Sequence, residues 1–197
     1  MQLATLWRSA ALTLAVLSLP FATLQAKDLH SGENFHVPLP EGYKQVYGRD
    51  SARHSIGHFI PQAQTEDGWT DKIIVQTFRG FQMDAPTYMA QTKNRPADKG
   101  CVEFHTQDTV TDTHNGYPSA RITMTCTLNT DSGKGSVAML RVYSTGENFH
   151  YVQLVWRGPS FEMPNIPVSA EKFAEWTAFL GAVRLCDTNA AEHPCPQ

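Results

Sequence analysis

The stretch Ser136–Arg157, SVAMLRVYSTGENFHYVQLVWR, carries the reading on which the fold depends. Two apolar, strand-like runs flank Thr145-Gly146-Glu147-Asn148. Glycine at the first central position of a two-residue loop suits a type II′ turn, whose twist matches that of antiparallel strands. Such a turn fixes a register: Thr145 opposite Asn148, Tyr143 opposite His150, Arg141 opposite Val152 and Met139 opposite Leu154. Side chains alternate across a strand. One face therefore carries Val137, Met139, Arg141, Tyr143, His150, Val152, Leu154 and Trp156. The other carries Ala138, Leu140, Val142, Phe149, Tyr151, Gln153 and Val155. Both faces are mainly apolar, whereas a sheet wetted on one side alternates apolar with polar residues. The hairpin is expected inside a sheet with layers on both sides.

Working outward, Val183-Arg184-Leu185 reads as a last strand after a helix over residues 170–182. Ser169 is placed to cap that helix, and Phe173, Trp176, Thr177 and Leu180 form its apolar stripe. Upstream, Phe35–Pro40 reads as an edge strand, because proline is tolerated there and not in a central strand. Tyr43–Tyr47 is a second short strand, followed by a loop at Gly48–Ser51. His54–Ile60 and Lys72–Phe78 are strands; the continuous run Ile73-Ile74-Val75 fits a strand covered on both faces. Asp84 is an N-cap for a helix over 85–94, with Pro86 in the first turn, Pro96 after the end, and Tyr88, Met89 and Thr92 facing inward.

The N-terminus reads as a leader. Arg8 precedes the apolar run Ala10–Leu19, too short to span a bilayer, and Leu24-Gln25-Ala26 offers a small residue at a cleavage point. Residues 1–26 are thus expected to be a signal peptide, and 27–197 a single α/β domain, exported to the periplasm or secreted. After cleavage, 197 − 26 leaves 171 residues, and loss of Arg8 moves the net charge from −3 to −4. A mildly acidic chain without a Lys/Arg run has no electrostatic footprint for nucleic acid. No second apolar stretch is long enough to span a membrane.

The four cysteines, Cys101, Cys126, Cys186 and Cys195, form an even set behind the leader, which favours disulfides. Of three connectivities, Cys101–Cys126 and Cys186–Cys195 are preferred, the second pinning a tail too polar to pack alone. No C-x2-C spacing supports a metal site. The segment 101–128, CVEFHTQDTVTDTHNGYPSARITMTCTL, contains a conflict. A two-residue turn at Asn115-Gly116 sets His105 opposite Cys126 and leaves Cys101 out of disulfide reach. A longer loop or bulge around Asp112–Gly116, with the disulfide kept, is the expected resolution.

The element order, with Phe-x-Val-Pro-Leu-Pro-Glu-Gly-Tyr at 35–43 and Gly-Tyr-Pro at 116–118, resembles the PsbP/Mog1/DcrB-like proteins. The Trp69–Val75 segment is similar to one in small periplasmic proteins of proteobacteria. The resemblance covers most of residues 34–186. It implies an α+β fold, an antiparallel β-sheet with helices packed on it as an α/β/α sandwich. Members of the group serve as assembly factors, adaptors or lipoproteins. They share no catalytic residue set, so the resemblance bears on fold rather than function.

Motifs for chemistry are sparse. His54 and His58 share a strand face about 13 Å apart, too far to chelate one ion. Ser132–Ser136 departs from a P-loop, since Leu128 and Gly135 stand where Gly and Ser/Thr belong. No G-x-S-x-G elbow occurs. Glu171 and Glu175 read as a solvated helix face. Arg141, Tyr143 and His150 cluster on one hairpin face and are the candidate ligand-binding residues; a buried Arg141 there needs a carboxylate or carbonyl partner. No cofactor and no metal is implied. The reading adopted is an exported, non-catalytic binding or adaptor protein engaging a protein or envelope component. The alternatives are a small-ligand binder or hydrolase at Arg141/Tyr143/His150, and an immunity or inhibitor protein against an envelope-targeted toxin.

Overall fold

The computed structural model describes residues 32–94 and 100–196. In chain order the elements are β1 (Glu33–His36), β2 (Tyr43–Asp50), β3 (His54–Pro61), β4 (Asp71–Arg79), α1 (Ala85–Lys93), β5 (Phe104–Thr106), β6 (Val110–His114), β7 (Tyr117–Asn129), β8 (Lys134–Ser144), β9 (Asn148–Pro159), α2 (Ala170–Ala182) and β10 (Arg184–Asp187). The expected leader at 1–26 and the helix stop at Pro96 lie outside the described residues.

The runs flanking Gly146 become β8 and β9, central strands of an eight-stranded antiparallel sheet ordered β2-β3-β4-β9-β8-β7, with β5 and β6 both along β7. Their register is the expected one: Tyr143 pairs with His150, Arg141 with Val152 and Met139 with Leu154. Gly146 takes φ +85°, as the tight turn requires. One face packs Leu140, Val142, Phe149 and Ile122 beneath Ala85 and Met89 of α1. The other packs Val137, Met139, Tyr143, Val152 and Leu154 beneath Trp176 and Leu180 of α2. The product is an α+β sandwich, a mostly antiparallel sheet between helices.

Both helices start where their caps predict. Asp84 accepts from the Thr87 amide at 2.8 Å and Ser169 from the Lys172 amide at 3.1 Å. In α1, Met89 and Thr92 are buried with Ala85, and Tyr88 is exposed only in part. In α2 the stripe is narrower than expected: Trp176 and Leu180 are buried, but Thr177 is exposed and turns its hydroxyl to the Phe173 carbonyl at 2.9 Å.

Three expectations about strands are corrected. The N-terminal strand ends at His36, before the prolines, and pairs with β10 in a separate two-stranded ribbon. Strand β2 runs to Asp50, because a bulge between Gln45 and Tyr47 resets its register and carries Gly48 and Arg49 on against β3. The Asn115-Gly116 turn is a true two-residue turn, with His114 opposite Tyr117 and φ of 51° and 82° at its centre.

The disulfide conflict is resolved elsewhere. The edge strand breaks between β6 and β5, and the register slips by one residue so that Phe104, not His105, faces Cys126. A second irregularity lies between Cys126 and Asn129. Cys101–Cys126 and Cys186–Cys195 are both bonded, with Cα separations of 5.8 and 5.0 Å. The second bond holds the tail against the turn: Asn115 Nδ2 donates to the Leu185 carbonyl at 2.9 Å, and His193 stacks on Tyr117 at 4.0 Å.

Candidate functional site

Arg141, Tyr143 and His150 share one sheet face, as the alternation requires. The structure divides them into two hydrogen-bonded groups. Arg141 is buried and places NH2 2.9 Å from Asp112 Oδ2, while NH1 lies 3.3 Å from Ser119 Oγ. Ser119 also donates to Asp112. Burial pushes the Asp112 carboxyl up, but the Ser119 hydroxyl and the Arg141 charge outweigh it and hold the group below its ordinary value. Asp112 is the carboxylate partner that a buried Arg141 demands. Local sequence did not identify it, because it reaches Arg141 from β6 across β7.

Tyr143 is fully buried, and its hydroxyl lies 3.2 Å from His114 Nδ1 and 3.4 Å from the Val183 carbonyl oxygen. Arg184 NH1 lies 2.9 Å from His114 Nε2. Arginine can only donate, so Nε2 accepts and the neutral ring carries its proton on Nδ1, towards Tyr143. Burial, and then the charges of Arg141 and Arg184, depress the His114 pKa. Burial raises the Tyr143 hydroxyl to about 12.

His150 stands directly opposite Tyr143 but turns to different partners. Its Nε2 lies 2.8 Å from Glu33 Oε1, and its Nδ1 lies 3.1 Å from Thr77 Oγ1. Asn148 Nδ2 donates to the same Glu33 oxygen at 2.9 Å. Burial works to raise the Glu33 pKa; the His150 and Asn148 contacts overcome it and leave the carboxyl lowered. Phe35 sits against both rings, 5.7 Å from Tyr143 and 4.9 Å from His150. The polar atoms of the trio thus tie β1, β6 and the Val183 carbonyl to the sheet, and none of the three residues lines the depression over β2 and β3.

A broad, mainly apolar depression lies over β2 and β3, and no helix residue lines it. It is an open groove of ≈ 530 Å³, with Phe35, Val37 and Leu39 along one side and Phe59 and Val75 within it. Its floor holds Gly48 and Gly57, which are paired across β2 and β3. A Cβ on Gly57 would stand 2.8 Å from the Phe59 ring, so a side chain there would crowd the floor, whereas one on Gly48 would meet only the flexible end of Gln45. Leu39 remains 38% exposed at the rim. Val37 and Leu39, read as strand residues, instead line the groove, a role that required knowing β1 leaves the main sheet. Among the described residues, no group of three His, Cys, Asp or Glu side chains is placed to hold a metal ion.

Fold and groove together define an α+β sandwich with an apolar depression beyond its helical layers. No family model matches the sequence, and no curated protein does. Among solved structures, the chain is similar to the Saccharomyces cerevisiae Ran-binding protein Mog1p, at 10% identity over 72% of this chain and 76% of that one, TM-score 0.42. It is also similar to LpqN of Mycobacterium tuberculosis, described as involved in cell envelope biogenesis, at 16% identity over 78% and 81%, TM-score 0.44. These likenesses concern fold alone.

Proposed function

We propose that the protein is an exported, non-catalytic binding or adaptor protein, and that it engages a protein or envelope component through the groove over β2 and β3. The observation that carries this reading is the groove itself, a sizeable apolar depression left open by both helices. Concave apolar surfaces of this size serve recognition. Arg141, Tyr143 and His150 support it by contrast, because the Arg141 NH1 and NH2 groups, the Tyr143 hydroxyl and the His150 ring meet internal partners. The leader at residues 1–26 and the paired cysteines support export. The test is a pull-down from native envelope with the protein as bait, run beside a Leu39→Asp variant. A component recovered by the wild type and lost by the variant is expected. Recovery of no specific component, or equal recovery by both, rejects the reading.

A further inference from the structure

The sheet face beneath α1 is left open at the other end of its strands. There the register sets Phe104, Cys126, Ser136 and Arg157 in one row across β5, β7, β8 and β9. A cavity of ≈ 320 Å³ lies over this row, with Phe104, Trp69 and the Cys101–Cys126 disulfide among its walls. Ser136 keeps the row low at its centre, being the small residue between Cys126 and Arg157. Lys134 and Arg157 also line the cavity, and no Asp or Glu does.

The two cations are only partly neutralised. Arg157 donates to backbone carbonyls through Nε, 3.3 Å from Trp69 O, and through NH2, 2.7 Å from Asp67 O. Its NH1 makes no hydrogen bond to the described residues. Among those residues neither Lys134 nor Arg157 forms an ion pair, though the Asp67 charge acts on Arg157 from the loop before β4. Lys72 adds a third positive charge: its Nζ and the Arg157 guanidinium carbon lie 3.8 and 3.9 Å from the Trp69 ring centroid. Burial first, and then the Arg157 charge, depress the Lys72 pKa against the opposing charge of Glu66. Asn129 presents another donor, since its Oδ1 is occupied by Ser132 while Nδ2 has no acceptor among the described residues.

We infer that this cavity binds a small organic anion. The head meets Arg157 and Lys134, and an apolar body lies against Phe104 and the disulfide. Like charges gathered in a concave, low-dielectric recess raise the local concentration of anions. A few convergent polar groups in an otherwise apolar wall are the usual make-up of a small-ligand pocket. A bare inorganic ion would leave those walls unused. The site lies apart from the groove over β2 and β3 and does not depend on it.

The test uses sodium benzoate as probe on the disulfide-bonded protein, followed by NMR. A saturable shift is expected at the Trp69 indole N–H and at the backbone amides of residues 134–136. Lys134→Ala should weaken binding about fivefold, the size of a partly exposed ion pair near 1 kcal/mol, and Lys134→Arg should restore it. Benzyl alcohol, which keeps the ring and lacks the charge, should give no saturable shift, nor should inorganic phosphate. Absence of saturable benzoate binding overturns the inference, as does binding unchanged by Lys134→Ala. Phosphate saturating the same resonances also overturns it, because the apolar walls then contribute nothing.

Discussion

Removing the Asp112 carboxylate should destabilise the protein far more than an edge-strand position ordinarily does. The Arg141 side chain is 6% exposed and that of Asp112 39%, with 2.9 Å between NH2 and Oδ2. Asp112→Ala leaves a buried guanidinium beside Ser119 Oγ and the Tyr143 ring, and Arg141 Nε already has no partner among the described residues. Breaking a fully buried pair costs about 3–5 kcal/mol. Water reaches Asp112, which reduces the expected loss to about 2–3 kcal/mol. Arg141→Met alone removes the buried charge and keeps the apolar stem, so it should cost less. The double variant should be more stable than Asp112→Ala alone, because no unpaired charge is left. Equilibrium urea unfolding at pH 7 measures all three. A loss below about 0.5 kcal/mol for Asp112→Ala, with no coupling to Arg141, would refute the reasoning. The pH dependence has a definite sign. The folded carboxyl titrates below its ordinary value of 3.8, so its stabilisation is complete above that pH and disappears as pH falls through the folded pKa. The gap between wild type and Asp112→Ala should therefore narrow in acid.

Replacing Cys101 and Cys126 by alanine opens a 25-residue closure, worth about 3.5 kcal/mol in the chain-entropy account; the 9-residue Cys186–Cys195 closure is worth about 2.6 kcal/mol. Urea midpoints should fall in that order, and equal midpoints would contradict it. His114 titrates below 6.5 when folded, so the unfolded chain takes the proton first, and stability present above that pH is lost as pH falls towards the folded value. His114→Asn should flatten the stability profile between about pH 7 and 5, leaving the slope due to His58, which burial and Lys72 also lower. An unchanged profile would remove His114 from the account.

The central hairpin was legible because its register followed from one glycine and its two faces were both apolar. Those same residues, Leu140 and Phe149 on one side and Met139 and Val152 on the other, are the ones the helices cover. The cysteine pairs were legible from number and spacing. The position of the register slip was not. Gln107-Asp108-Thr109 contains neither glycine nor proline, and β7 accepts two short partners along one edge as readily as one long one. The partners of Arg141 and His150 were likewise hidden, since Asp112 and Glu33 are 29 and 117 residues away in sequence. The groove depends on where β1 goes. Phe35, Val37 and Leu39 carry strand-like alternation, and only pairing with β10 takes them out of the sheet.

The most direct test of binding at the groove is site-specific photo-crosslinking in the native envelope. A crosslinker replaces Leu39, at the groove rim, and in a second protein Val110, on the opposite edge of the sheet and 45% exposed. The groove account predicts a discrete adduct from position 39 that is absent from position 110. Adducts from position 110 with none from position 39 would contradict it.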